Sequence, residues 1–243
     1  MLVYRLKDAE TLLGRSFCRH CKHQIRWYDN IPLLSFIILR GECRDCEAKI
    51  SWQYPLLELF TGLLFALGGY LFSPIFSGNS WVELAFVFVI TSLLITIAAY
   101  DLRYMEIPLS LLVTGLVITF LFLLYSYQWG SPFFSSTLGL GMLGGMAVAG
   151  LFYILVAVSK ETWMGWGDVW LGGLAGLVVG LPLALPLLTI SFGVGALCGI
   201  LMMLFAKKTM KSQIPFAPYL SLGVLVTLYL SEIFPEYAAL FLF

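Results

Sequence analysis

Two groups of residues in this chain are spaced for chemistry. Cys18-Arg-His-Cys21 and Cys43-Arg-Asp-Cys46 are two Cys-x-x-Cys knuckles separated by 21 residues. Each can present two thiolates to one metal, and the two together complete a tetrahedral four-sulfur zinc site with Zn–S of about 2.3 Å. Four protein ligands leave no open coordination position, so a zinc held there is structural. A redox reading expects one Cys-x-x-Cys in a βαβ setting rather than two knuckles. A disulfide reading needs an oxidising compartment. His20 and His23 can stand in for a ligand but read as solvated loop residues. Cys198, alone in an apolar run, reads as a packing residue.

The second group is a pair of aspartates. Asp101 terminates an apolar run in Ala98-Ala-Tyr-Asp101-Leu-Arg103, and Asp168 opens another in Met164-Gly-Trp-Gly-Asp168-Val-Trp-Leu. An ionisable group at the edge of hydrocarbon is costly unless it is paired or functional. Two carboxyls brought together in a low-dielectric pocket share one proton, which suits peptide hydrolysis. The ionised member takes a proton from the attacking water, and the protonated member polarises the carbonyl oxygen. Gly165 and Gly167 remove side chains beside Asp168, where a helix or a substrate backbone can approach. The competing reading is capping, with Asp168 as an N-terminal acid of its helix and Asp101 paired to Arg103 or Lys160.

The elements that must position these residues follow from composition. Of 243 residues, 60% are hydrophobic and 12% charged, and mean hydropathy is +0.92. A soluble chain is about half apolar and about a quarter charged. Lys+Arg and Asp+Glu number 14 each, so no bulk field points to nucleic acid. The chain reads as an all-α polytopic membrane protein with a small N-terminal zinc-binding domain. The expected domains are 1–54, holding the cysteine knuckles, and 55–243, a helical membrane domain. Seven apolar runs are expected to cross the bilayer: 55–76, 81–100, 107–127, 136–158, about 169–179, 182–205 and 216–234. The fifth is short, and with the sixth it could instead form a re-entrant hairpin. Within the cysteine segment, Arg26 to Asn30 reads as a hairpin, followed by a short apolar stretch before Arg40 and Gly41. Gly141-xxx-Gly145-xxx-Ala149, then Gly172, Gly173, Gly176 and Gly180, and Gly195-xxx-Gly199 predict close helix packing in lipid.

The basic residues orient the spans. Residues 1–54 hold nine of the 14 Lys+Arg. With that segment cytoplasmic, Arg103, Lys160, Lys207, Lys208 and Lys211 fall in loops on the same side, and the opposite loops hold no Lys or Arg. The positive-inside rule therefore predicts that Asp101 and Asp168 share the cytoplasmic face of the membrane.

Gly165-Trp-Gly-Asp168 fits the Gly-x-Gly-Asp signature of intramembrane aspartic peptidases, and the whole chain resembles the bacterial type IV prepilin peptidases. The resemblance rests on Gly14 to Cys21, Asp29-Asn-Ile-Pro-Leu-Leu-Ser35, Arg40 to Cys46, Tyr54-Pro-Leu-Leu-Glu58, Asp101 followed by Ile107-Pro108, and Ile214-Pro-Phe-Ala-Pro-Tyr-Leu220. It implies a cytoplasmic zinc domain, catalysis by Asp101 and Asp168, and removal of prepilin and pseudopilin leader peptides after a glycine. In many members it also implies methylation of the new N-terminus with S-adenosylmethionine as cofactor. Glu58 is a candidate participant there or a plain N-terminal helix acid. The partners implied are prepilin or pseudopilin substrates and the lipid bilayer. Arg19, Leu109 and Trp170 replace the family's proline, aspartate and lysine. Met1 to Leu6 resembles the end of the family's first membrane helix, which implies either a start that lies upstream or seven spans where relatives have eight. A membrane scaffold with a zinc docking domain is a second reading. A transporter is a third, although its acids are expected near span midpoints.

Overall fold

In lipid every backbone N–H and C=O must find its partner within the protein, so apolar runs of this length become helices. The computed structural model of the chain describes Lys7 and residues 14–75, 80–128, 132–205 and 214–234. Lys207, Lys208, Lys211, Met1 to Leu6 and most of the 77–80 loop lie outside the described residues. Among those described, the helices are α1 (Leu34–Ile38), α2 (Gln53–Leu71), α3 (Trp81–Tyr104), α4 (Leu109–Tyr125), α5 (Thr137–Ser159), α6 (Trp166–Val179), α7 (Ala184–Phe205) and α8 (Ala217–Ile233). The described residues contain no strand beyond two isolated β-bridges.

All seven expected runs are helices. Four of them, α2, α3, α5 and α7, are long and apolar enough to cross a membrane, whereas α4, α6 and α8 are shorter. At 14 residues, α6 rises about 21 Å at 1.5 Å per residue, less than a hydrocarbon core of about 30 Å. It packs chiefly on α5, and α7 chiefly on α8, rather than the two packing mainly on each other.

Among the boundaries that differ from expectation, two matter for the aspartates. The second run was expected to end at Tyr100, but α3 continues through Asp101 to Tyr104, where Met105 closes it at φ 54° with its N–H on the Asp101 carbonyl. The fifth was expected from about Val169, but α6 begins at Trp166, with Gly165 as N-cap. Both aspartates therefore lie within terminal helical turns. Arg26 to Asn30 is not a hairpin either. Trp27–Asn30 is a 3₁₀ turn, closed by the Asp29 N–H on the Arg26 carbonyl at 3.0 Å.

The chain divides into two units, Met1–Tyr70 and Leu71–Phe243. In the second, glycine sets the approach of α5 to α6. A Cβ built on Gly144 would stand 2.6 Å from the Gly176 carbonyl oxygen, and one on Gly172 would stand 2.5 Å from the Phe152 ring. Such contact is available only to residues without side chains, and it gives the pair its dispersion energy in lipid. The Leu181 N–H on the Leu140 carbonyl ties the far end of the pair. Gly195 and Gly199, by contrast, have room for a Cβ at ordinary contact distance from Tyr219 and Ile214.

Candidate active site and metal centre

The two cysteine knuckles are built alike. In each, the N–H of the first cysteine meets the carbonyl five residues on: Cys18 to His23 at 2.8 Å, Cys43 to Ala48 at 2.9 Å. In each, the residue after the second cysteine returns its N–H to the first: Lys22 to Cys18 and Glu47 to Cys43, both at 2.9 Å. Lys22 and Glu47 take the left-handed backbone this turn requires, at φ 60° and 57°. An isolated antiparallel bridge closes each loop, Phe17 with Gln24 and Glu42 with Lys49.

The loops bring all four sulfurs within 4.8 Å of one another, with Cys18 Sγ and Cys46 Sγ 3.8 Å apart. A tetrahedron with bonds of about 2.3 Å has edges of about 3.8 Å, so the cluster has the dimensions of a four-thiolate metal site. His20 and His23 are exposed and outside it. The sulfurs also act on one another electrostatically. Desolvation works against ionising Cys18, but the backbone N–H groups of Cys21 and His20 outweigh it and bring this thiol to about 7. The Ala48 N–H favours the Cys46 thiolate, yet desolvation and the three neighbouring sulfurs push it up to about 12. Four thiolates coexist only around a positive ion.

Asp29 braces the second knuckle. Arg44 donates to both of its carboxylate oxygens, Nε to Oδ2 at 2.8 Å and Nη2 to Oδ1 at 2.6 Å. The guanidinium also lies over the Tyr28 ring. Glu58, on the second turn of α2, accepts the Leu33 backbone N–H at 2.8 Å.

In the second unit, Asp101 is 5% exposed. Its Oδ2 accepts the backbone N–H of Ala217, the first residue of α8, at 3.1 Å. The Pro-Phe-Ala-Pro block breaks the chain here, and Pro218 in the first turn starts α8. The positive end of α8 thus meets the Asp101 carboxylate. Arg103 lies over the Tyr104 ring. Asp168 is half-buried and occupies the third position of α6, where its Oδ2 accepts the Gly165 N–H at 3.2 Å. The capping reading of Asp168 is therefore correct as geometry.

Capping does not exhaust the arrangement. α8 packs against both α3 and α6, and a Cβ on Gly167 would stand 3.2 Å from Ile107, just beyond α3. The first turn of α6 and the segment that follows α3 therefore touch, which brings the stretches carrying Asp168 and Asp101 alongside one another. The two carboxyls share one end of the second unit, each with one oxygen bonded to a backbone N–H. Arg103, and Lys160 at the end of α5, belong to that same end. Nothing lies within 4 Å of a Cβ placed on Gly165, so this glycine leaves open space beside Asp168. Leu109 and Trp170 are 63% and 56% exposed and turn outward.

Sequence reasoning missed one participant, the Ala217 N–H. Its signal was the proline pair around Ala217, which marks a helix start, but nothing local connects that start to Asp101 across 116 residues.

Known proteins place this architecture. Residues 1–72 match the bacterial peptidase A24 N-terminal domain, and residues 88–200 match the type IV leader peptidase family. A type 4 prepilin-like proteins leader peptide-processing enzyme of Escherichia coli is 37% identical over 91% of this chain and 78% of its own length. Prepilin leader peptidase/N-methyltransferases of Stutzerimonas stutzeri and Bacillus subtilis are each 34% identical. The first alignment covers 89% of this chain and 72% of that protein, the second 92% and 85%. No solved structure matches the chain. With two adjoining family domains along its length and relatives aligned over most of theirs, this chain belongs to the type IV leader peptidase family.

Proposed function

We propose that this chain is an aspartic endopeptidase that removes the leader peptide of type IV prepilins and pseudopilins, with Asp101 and Asp168 as its catalytic pair. The observation that carries the reading is the placement of two carboxyls from different helices at one end of the membrane unit. Each is anchored through one oxygen, Asp101 by Ala217 and Asp168 by Gly165, which fixes orientation and leaves the second oxygen for chemistry.

The pair works with one proton between its members. The ionised carboxylate takes a proton from water as the oxygen attacks the scissile carbonyl carbon, and the protonated one donates to the carbonyl oxygen. A tetrahedral diol results. Its collapse breaks the C–N bond, with a proton passing to the departing amine, and the pair regains its single shared proton. The open space at Gly165 suits an extended substrate backbone.

The zinc knuckles are proposed to form a domain over residues 1–54, with the peptidase domain over 55–243. Zn²⁺ is the ion that four thiolates of this size favour, and Cys18, Cys21, Cys43 and Cys46 would hold it as a structural centre. The protein is proposed to sit in the bacterial inner membrane with the zinc segment and Asp101 and Asp168 on the cytoplasmic face, a reading that the distribution of its basic residues supports. Trp163, Trp166 and Trp170 around the start of α6 suit the membrane–water boundary, where tryptophan concentrates.

The relatives' names add N-methyltransferase activity, for which S-adenosylmethionine would supply the methyl group. In this chain the Glu58 carboxylate is engaged by Leu33, and the methyl-transfer reading rests on those names. Transfer of labelled methyl groups onto a processed substrate tests it. Peptidase function is tested by leader cleavage of a prepilin in proteoliposomes: Asp101→Asn and Asp168→Asn should each abolish it, and persistent cleavage in either would overturn the assignment.

A further inference from the structure

The zinc segment carries an apolar face that its own packing does not use. In α1, Leu34, Ile37 and Ile38 recur at helical spacing on one side, and Ile37 and Ile38 are 71% and 62% exposed. Phe36 points the other way, packing on Trp52 with ring centroids 4.9 Å apart. Single exposed apolar residues are ordinary, but three on one side of a five-residue helix mark a contact surface.

Two contacts tie this segment to the start of α2. Trp52 directly precedes α2, and Glu58 on the second turn of α2 accepts the N–H of Leu33, the residue before α1. Glu58 lies five residues into α2, so α1 is fastened within about 8 Å of its start along the axis. α2 is itself an apolar helix able to cross a bilayer. The interfacial layer on each side of the hydrocarbon is roughly 5–7 Å deep, so a segment fastened this close to the start of a crossing helix lies near the membrane boundary. Arg40, exposed just after α1, adds a cation beside this face that can meet an anionic phosphate.

We propose that α1 lies in the interfacial layer of the bilayer, with Leu34, Ile37 and Ile38 beneath the headgroups and Arg40 among the phosphates. The occupant of the apolar face is phospholipid. The metal-binding knuckles are thereby seated on the membrane at a set height rather than tethered loosely above it. This inference does not depend on the catalytic assignment.

The test uses the full chain in phosphatylethanolamine/phosphatidylglycerol vesicles, with p-benzoylphenylalanine placed at Ile37, at Ile38 or, as control, at Glu47 on the second knuckle. Irradiation followed by mass spectrometry should give phospholipid adducts from positions 37 and 38 and none from 47. Adducts to protein only, no adduct, or equal lipid labelling from 47 would overturn the proposal. Hydroxyl-radical footprinting of the unsubstituted chain in the same vesicles avoids any effect of substitution on folding. Ile37 and Ile38 should be oxidised at least fivefold more slowly than in the denatured chain, and equal oxidation rates would overturn the proposal.

Discussion

The carboxylate of Asp101 accepts the backbone N–H of Ala217 at 3.1 Å, across 116 residues of sequence. This bond makes Asp101 both the N-terminal anion of α8 and a member of the carboxyl pair. The two roles can be separated. Asp101→Asn keeps an oxygen for the Ala217 N–H but cannot cycle a proton, whereas Asp101→Ala loses both. Loss of such a cap costs about 0.5–2 kcal/mol. Thermal denaturation in detergent should show Asp101→Ala with a lower Tm than Asp101→Asn, while leader cleavage is at background in both. Equal Tm values would remove the structural role from Asp101.

Much of this was legible in the sequence because the forces involved are local or periodic. Apolar runs fixed the seven membrane-unit and entering helices, knuckle spacing fixed the four sulfurs, and glycine repeats marked the α5–α6 contact. The boundaries at Asp101 and Asp168 were harder. Hydropathy drops at a charge, but a helix ends only where its last carbonyls find partners, at Met105 for α3. The approach of Ala217 to Asp101 is a tertiary contact with no periodic signature. The residues of the 3₁₀ turn at Trp27–Asn30 suit a hairpin equally well, and the Arg44 contact to Asp29 is not visible in local sequence.

The glycines beside Asp168 make different demands. A Cβ on Gly165 meets nothing within 4 Å, while one on Gly167 meets Ile107 Cβ at 3.2 Å. Gly167→Ala should therefore shift the segment between Asp101 and α4, lowering kcat for leader cleavage about tenfold or more, in line with the sensitivity of catalysis to small misplacements. Gly165→Ala should leave Tm unchanged and act through KM, since it fills space proposed for substrate. Steady-state kinetics on a peptide substrate distinguish the two patterns.

The four sulfurs should bind one metal per chain. Inductively coupled plasma mass spectrometry on the purified protein should find one zinc, and each of Cys18→Ser, Cys21→Ser, Cys43→Ser and Cys46→Ser should lose it. Limited proteolysis should then cut within residues 14–52. Helical content should change little on metal removal, because the packing of α3 to α8 uses none of these sulfurs. A metal-free protein equally resistant to proteolysis would show that the knuckles stand without an ion.

Asp29 gives the metal segment a pH-dependent brace. The paired N–H groups of Arg44, followed by its charge, hold the Asp29 carboxyl below the usual carboxylate range despite partial desolvation. A group whose folded-state value is depressed adds stability above its unfolded value, about 3.9 for aspartate, and loses it as pH falls through the folded-state value. The wild type should therefore resist unfolding of this segment better than Asp29→Asn at pH 7, and the difference should close below about pH 4. Comparing the variants, rather than following the wild type alone, separates this effect from acid release of the metal. Amide exchange at Arg44 and Asp45 measures it.

The α5–α6 contact carries Asp168 into place, and its tolerance to a methyl group is position-specific. A Cβ on Gly144 would stand 2.6 Å from the Gly176 carbonyl oxygen, whereas one on Gly150, on the same helix, meets nothing within 4 Å. Backbone cannot yield as a flexible side chain can, so Gly144→Ala must push α6 outward. Overpacking of this kind costs about 1–3 kcal/mol. Gly150→Ala should be neutral or stabilising by up to about 1 kcal/mol through helix propensity. Displacement of α6 also moves Asp168 relative to Asp101, which α3 holds independently. Gly144→Ala should accordingly lose leader cleavage at temperatures well below its Tm, and Gly150→Ala should retain it. Parallel activity and Tm measurements would sink this account if both variants lost activity only on unfolding.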